Sequence, residues 1–351
     1  GGVAGRRARF VRGAQQERIA FAPVPGSPRR ELSAIWTWRM ASRLAQAVGV
    51  IPLAALLAQG EGRASFTVAE TGRGYSSLQA AVDAIGDSEG TVVIAAGNWN
   101  ECAVQRDGVV HFRAEQPGKA LLGGKACEGK ASLVLRGRGA SVEGLVFADI
   151  AVADGNGAGI RLEEGPLRVS QSWFRDSQQG ILTTNGVDSE LVVDKSTFTR
   201  LGTCENSGGC AHSIYAGDYG RVTVTRSRFE QGTGGHYLKS RAARNVIEGN
   251  SFDDANGHGT NYLIDLPNGG TGAIRGNWFV QGRDKENWST MIAIGAEGAR
   301  YTSDGLVIAD NDARMVPGLS RSPAFIADWT NDALVIENNR LGSNVRRFER
   351  R

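Results

Sequence analysis

Apolar and polar residues alternate in short runs along most of this chain, with turn-forming residues between the runs. One phrase recurs: an aliphatic residue, any residue, a turn residue, two more, then a Phe-like position. It reads VEGLVF (142–147), VSQSWF (169–174), VDKSTF (193–198), VTRSRF (224–229), IEGNSF (247–252) and IRGNWF (274–279). Weaker copies are IADNDA (308–313) and IENNRL (336–341), and successive last positions lie 23 to 34 residues apart. A base unit with insertions of variable length is the mark of a solenoid. Alternation at period two makes the units strands rather than helices. The pattern therefore predicts one all-β domain over 65–342, built of coils stacked at ~4.8 Å, with Phe and Asn ladders inside.

A second strand column precedes each phrase: GIRL (159–162), GILT (180–183), HSIY (212–215), HYLK (236–239), NYLI (261–264), TMIA (290–293) and AFIA (324–327). The third position reads as inward, so its neighbours face out. Tyr215 and Lys239 then share an outward row with Ile264, Ala293 and Ala327. Insertions at 199–212 and 280–290 are expected to wall a cleft, since rigid scaffolds present variable segments there.

Residues 76–85, SSLQAAVDAI, carry a helical stripe at 78, 81, 82 and 85, ahead of a strand at 91–96 and the turn Gly97-Asn98-Trp99-Asn100-Glu101. This start resembles that of the pectate-lyase-like right-handed parallel β-helix superfamily, where an amphipathic helix caps the open end. The resemblance implies a right-handed parallel β-helix, and a solenoid needs such a cap to cover its first coil.

Of the 351 residues, 48 are Gly and 9 are Pro, and the formal charge is +3. The basic character sits at the ends. Residues 65–343 hold 26 Lys and Arg against 33 Asp and Glu, while 344–351 hold four Arg and one Glu. A mildly acidic body does not attract nucleic acid, whose binding rests on neutralising phosphates. Residues 343–351 read as a basic tail and the Arg-rich 1–39 as a disordered or upstream extension. From Met40, Arg43 precedes an apolar run, Leu44 to Ala58, followed by small residues. Residues 40–64 thus read as a secretory signal, and the mature chain as a periplasmic or secreted monomer that does not engage the membrane. Cys102 and Cys127 lie about one coil apart, and Cys204 and Cys210 flank a Gly-rich loop. Two disulfides fit an exported chain. A zinc constellation of Cys204, Cys210, His212 and His236 is the alternative, and it lacks the usual ligand spacing.

The candidate chemistry centres on His236 to Phe252. His212 and His236 hold equivalent places in adjacent coils, as do Tyr215 and Lys239, and Arg241 follows. Such a surface suits an acidic polysaccharide. β-Elimination on a uronate needs a cation at the carboxylate, a base for the C5 proton and an acid for the leaving oxygen. Lys239 is the candidate base, Arg241 the neutraliser, and His236 or Tyr215 the auxiliary acid or base. His212, Tyr237, Asp265 and Asn268 are candidate substrate-binding residues.

Lys239-Ser240 followed by Asn245, Asn250 and Phe252 resembles a coil of the chondroitinase B and alginate lyase family, family six, whose lysine is the catalytic base. The arginine carried by that family's next coil is absent here, and Asp265 stands near its place. The runs GHYLKSRA and YLIDLPNGG also resemble a group of exported bacterial β-helix proteins. A hydrolase drawing on Asp253, Asp254 and Asp265 stays open, as does a non-catalytic polysaccharide-binding or surface-structural role. No cofactor is expected; calcium at Asp304, Asp310, Asn311 and Asp312 is weighed against the ordinary use of Asx residues in turns.

Overall fold

The computed structural model describes residues 64–351. The extension read over 1–39 and the signal segment read over 40–64, apart from Ala64, lie outside them. The described chain is a parallel β-solenoid of about 9 turns. Each coil gives one strand to each of three sheets, of 12, 10 and 10 strands. Among the described strands the antiparallel pairings are those of Phe66–Val68 with Arg73–Tyr75 and Glu89–Ile94.

The helix forms at Leu78–Ile85, with Leu78, Ala81, Val82 and Ile85 buried. Ser77 caps it by accepting from the Ala80 N–H, the usual service of a serine at that position. Gln79 does a second job. Its Oε1 accepts from the Val104 N–H at 2.7 Å and its Nε2 donates to the Val104 carbonyl at 3.0 Å. The side chain thus copies a strand partner at the third sheet's first edge, which would otherwise stay unpaired.

The recurring phrase is one corner of the coil. Its third residue lies in the left-handed region: Gln171, Lys195, Arg226, Gly249, Gly276, Asp310 and Asn338 have φ between 48° and 65°. The next residue points inward and builds a polar ladder. The N–H groups of Asn250, Asn277 and Asn311 donate to Oδ1 of Asn277, Asn311 and Asn339 at 2.9 to 3.1 Å. Ser172, Ser196 and Ser227 continue it toward the N-terminus. Two residues on, Phe147, Phe174, Phe198, Phe229, Phe252 and Phe279 stack with centroids 4.8 to 5.1 Å apart, nearly parallel. That spacing is the coil rise itself, so each ring covers the next.

The third sheet corrects the expected register. Its inward row is Ile160, Ile181, Ile214, Leu238, Ile264, Ile292 and Ile326. Its outward row is Arg161, Leu182, Tyr215, Lys239, Asp265, Ala293 and Ala327. Three copies are therefore one residue off the sequence alignment, and Asp265 rather than Ile264 stands beside Lys239. Ile181-Leu182 and Leu263-Ile264 are adjacent apolar pairs, and alternation cannot say which member faces in. A one-residue slip exchanges the faces; the stacked Ile and Leu of neighbouring coils fix the choice.

The end of the chain also differs from expectation. Residues 343–351 are not a free tail, because Arg346–Arg350 pairs in parallel with Ala324–Asp328. Phe348 lies over Ile326 in the inward row and packs against the core.

Candidate functional site

Arg161, Leu182, Tyr215 and Lys239 of the third sheet's outward row floor an open cleft of about 930 Å³. Three loops reach it. Ser207 to Cys210 and Glu286, from the expected insertions, line one side, and Glu297 lines another.

Lys239 and Arg241 meet at the floor. Lys239 lies 7% exposed, beneath the Tyr215 ring at 5.6 Å, with Asp265 Oδ2 at 3.3 Å. Its Nζ donates to Glu297 Oε1 at 2.5 Å. Arg241 Nη2 donates to the other oxygen of Glu297. Its Nε donates to the Tyr215 hydroxyl and its Nη1 to Asn268 Oδ1, both at 2.9 Å. One carboxylate is thus gripped by an ammonium and a guanidinium, and the guanidinium is held in place by a phenol and an amide. Since Tyr215 accepts from Arg241, its own O–H is left to donate elsewhere.

The environments of the two carboxyls differ. Burial pushes Asp265 up to about 6, despite the Lys239 charge. Burial also raises Glu297, but hydrogen bonds from Lys239 and Arg241 outweigh it and hold Glu297 below the ordinary glutamate range. His212 and His236 are neutral at ordinary pH. Burial, then the Lys239 charge, brings His212 down to about 3, and burial holds His236 well below its usual range.

Of the sequence candidates, Lys239, Arg241, Tyr215, Asp265 and Asn268 come together. His212 stands edge-on to Tyr215 at 5.2 Å, and its Nδ1 accepts from the His236 N–H at 3.0 Å. His236 is packed between the rings of His212 and Tyr262, with Nδ1 buried and without a partner. It nonetheless lines the cleft, with its Nε2 3.4 Å from Asp265 Oδ2. Tyr237 is 1% exposed and faces the core, where its hydroxyl donates to Asp254 and accepts from the Gly232 N–H. The expectation that it binds substrate fails: Tyr237 precedes the strand that begins at Leu238, so the alternation that turns Lys239 outward does not govern it.

Of the hydrolase candidates Asp253, Asp254 and Asp265, the first two are held away from Lys239 by other partners. Asp254 is fully buried, bound by Tyr237, Thr260, the Gly282 N–H and Lys285. Asp253 accepts from the Ala255 N–H in its turn. The calcium candidates do not converge: Asn311 belongs to the ladder, Asp312 pairs with Arg314 and Arg340, Asp310 with Arg275, and Asp304 accepts from the Ala333 N–H. Cysteines 102 and 127 are joined with Cα atoms 5.5 Å apart, and 204 is joined to 210. Neither Cys204 nor Cys210 is then a free thiolate for zinc.

Glu297 is the member that sequence reasoning missed. It lies 58 residues from Lys239 on the loop after Thr290–Ile294 and reaches back across two coils. Arg300 and Tyr301 of the same loop reach a third, where both bind Asp218 at 2.5 Å. No repeat position marks that loop.

A family model for the right handed beta helix region matches residues 136–345. No curated protein matches the chain. Among solved structures, the ORF18 protein of Geobacillus virus E2 is similar, with a TM-score of 0.51 at 14% identity. The match covers 77% of this chain and 55% of that one, so the chain spans about half of that protein's length. At this identity the likeness concerns the fold alone.

Proposed function

The chain belongs to the right-handed β-helix family, and on that premise we propose that its groove binds an acidic polysaccharide and cleaves it by β-elimination. One observation carries the reading: Lys239 and Arg241 converge on a single carboxylate, that of Glu297. Glu297 sits on a loop with its side chain 44% exposed, so a uronate carboxylate can take its place. Arg241 then neutralises that carboxylate and acidifies the C5 proton. Lys239 is the base that takes the proton. The C5–H electrons form the new double bond as the C4–O bond breaks, and Tyr215 protonates the leaving oxygen. The two disulfides fit an oxidising compartment, and export to the periplasm or medium is part of the same proposal. Among the described residues no helix is long and apolar enough to cross a membrane.

The test is the ultraviolet absorbance of unsaturated uronates, followed on alginate, pectate, chondroitin and hyaluronan. The expected result is a rise on at least one polymer that Lys239→Ala and Arg241→Ala each reduce by about a hundredfold or more. A flat trace on every polymer counts against elimination and favours a binding or structural role.

A second reading is favoured by the split between the two carboxyls. Asp265 is pushed up to about 6 while Glu297 stays ionised, the division of labour of an acid and its partner in glycoside hydrolysis. Their oxygens lie 3.3 and 2.5 Å from Lys239 Nζ. They are therefore less than about 6 Å apart, too close for the ~6.5–9.5 Å of inverting enzymes. New reducing ends without the ultraviolet chromophore distinguish this reaction.

A further inference from the structure

The outward row of the third sheet continues beyond Tyr215 to Leu182 and then Arg161. Arg161 lies three coil steps from Lys239, about 14 Å along the axis, and borders the same cleft. Its side chain is 25% exposed, and Nε is buried without a hydrogen-bond partner. The nearby carboxylate, Glu163, stands 3.7 Å from Nε and is already engaged by Lys130 at 2.7 Å and by Arg136. Lys130 and Arg136 in turn share Glu128. Three cations therefore face two carboxylates, and Arg161 is the one of the three that borders the cleft. Asp154 shares this end of the cleft, with its Oδ1 accepting from the Asn156 N–H.

A buried guanidinium N–H without an acceptor is costly, and a guanidinium is the fork that matches a carboxylate with two hydrogen bonds. We propose that Arg161 forms a second carboxylate subsite, so that the groove holds a polyuronate chain laid along the solenoid axis from Arg161 to the Lys239–Arg241 pair. The distance exceeds one sugar ring, so several linked units are needed to touch both ends. This inference rests on the acidic-polysaccharide reading above.

Calorimetric titration of the full chain with a uronate series from disaccharide to hexasaccharide tests it. Affinity is expected to step up at the length that bridges the two ends, because the second contact becomes intramolecular. Arg161→Gln is expected to abolish the step and weaken hexasaccharide binding about tenfold, while disaccharide binding holds. Should Arg161→Gln melt lower than the unaltered chain, Arg161→Lys carries the comparison. It keeps the charge beside Glu163 without the fork, and is expected to show a smaller loss. Hexasaccharide affinity unmoved by either change overturns the subsite. If short oligomers then still lose affinity on Arg241→Ala, the acidic-polysaccharide reading survives. If no uronate oligomer binds the unaltered chain, both fall.

Discussion

Glu297 occupies the position in which two cations would receive a ligand's carboxylate. A competitor of this kind lowers apparent affinity by the free energy of its own contacts. A half-exposed ion pair is worth about 1 kcal/mol. Glu297→Gln is therefore expected to tighten uronate binding about fivefold, read by calorimetry; weaker binding would make Glu297 part of the ligand's own contacts. Asp265 gives a second test at this scale. Its folded value is about 6 against an ordinary 3.8, so the folded state holds the proton longer than the unfolded chain. The stability this contributes is fully present below about pH 4 and is lost as pH rises to about 6, an effect of roughly 3 kcal/mol. Asp265→Asn should not show this loss. Its stability relative to the unaltered chain is expected to rise across that window, measured by denaturant titration at a series of pH values.

The coil corner shows how an element made of three short strands holds its turn. The left-handed residue reverses the chain, and the following Asn pairs the turn's buried N–H with the coil above. Asn277 accepts from the Asn250 N–H and Nδ2 and donates to the Ile247 carbonyl and Asn311. Asn277→Ala leaves the Asn250 N–H and the Ile247 carbonyl buried without partners, at a cost of about 2–4 kcal/mol. Asn277→Ser is expected to recover part of it, since Ser serves the same corner at 172, 196 and 227. Equal losses in the two variants would mean that side-chain volume, not the ladder, sets the stability.

At the scale of the molecule, a solenoid is held by contacts between neighbouring coils, and its first coil has only the cap on one side. The Cys102–Cys127 bridge ties that coil to the next across 25 residues. Replacing both by Ser is expected to lower stability by about 3 kcal/mol, mainly through the unfolded chain's regained freedom. A denaturant midpoint unchanged by the double substitution would show that the helix cap and the Gln79 contact already secure this end.

The sequence by itself determined the scaffold: the period, the Phe and Asn ladders, the capping helix, both cysteine pairings and the meeting of Tyr215, Lys239 and Arg241. These depend on local alternation and on a repeat that stacks like upon like. Only the tertiary structure decided the register at Leu182 and Asp265, because two adjacent apolar residues leave the inward face undetermined until a neighbouring coil selects it. It likewise turned Tyr237 into the core, closed His236 between two rings and paired the C-terminal arginines' strand with the last full coil. Glu297 came from a loop that reaches two coils back, and no spacing in a repeat encodes where an insertion lands.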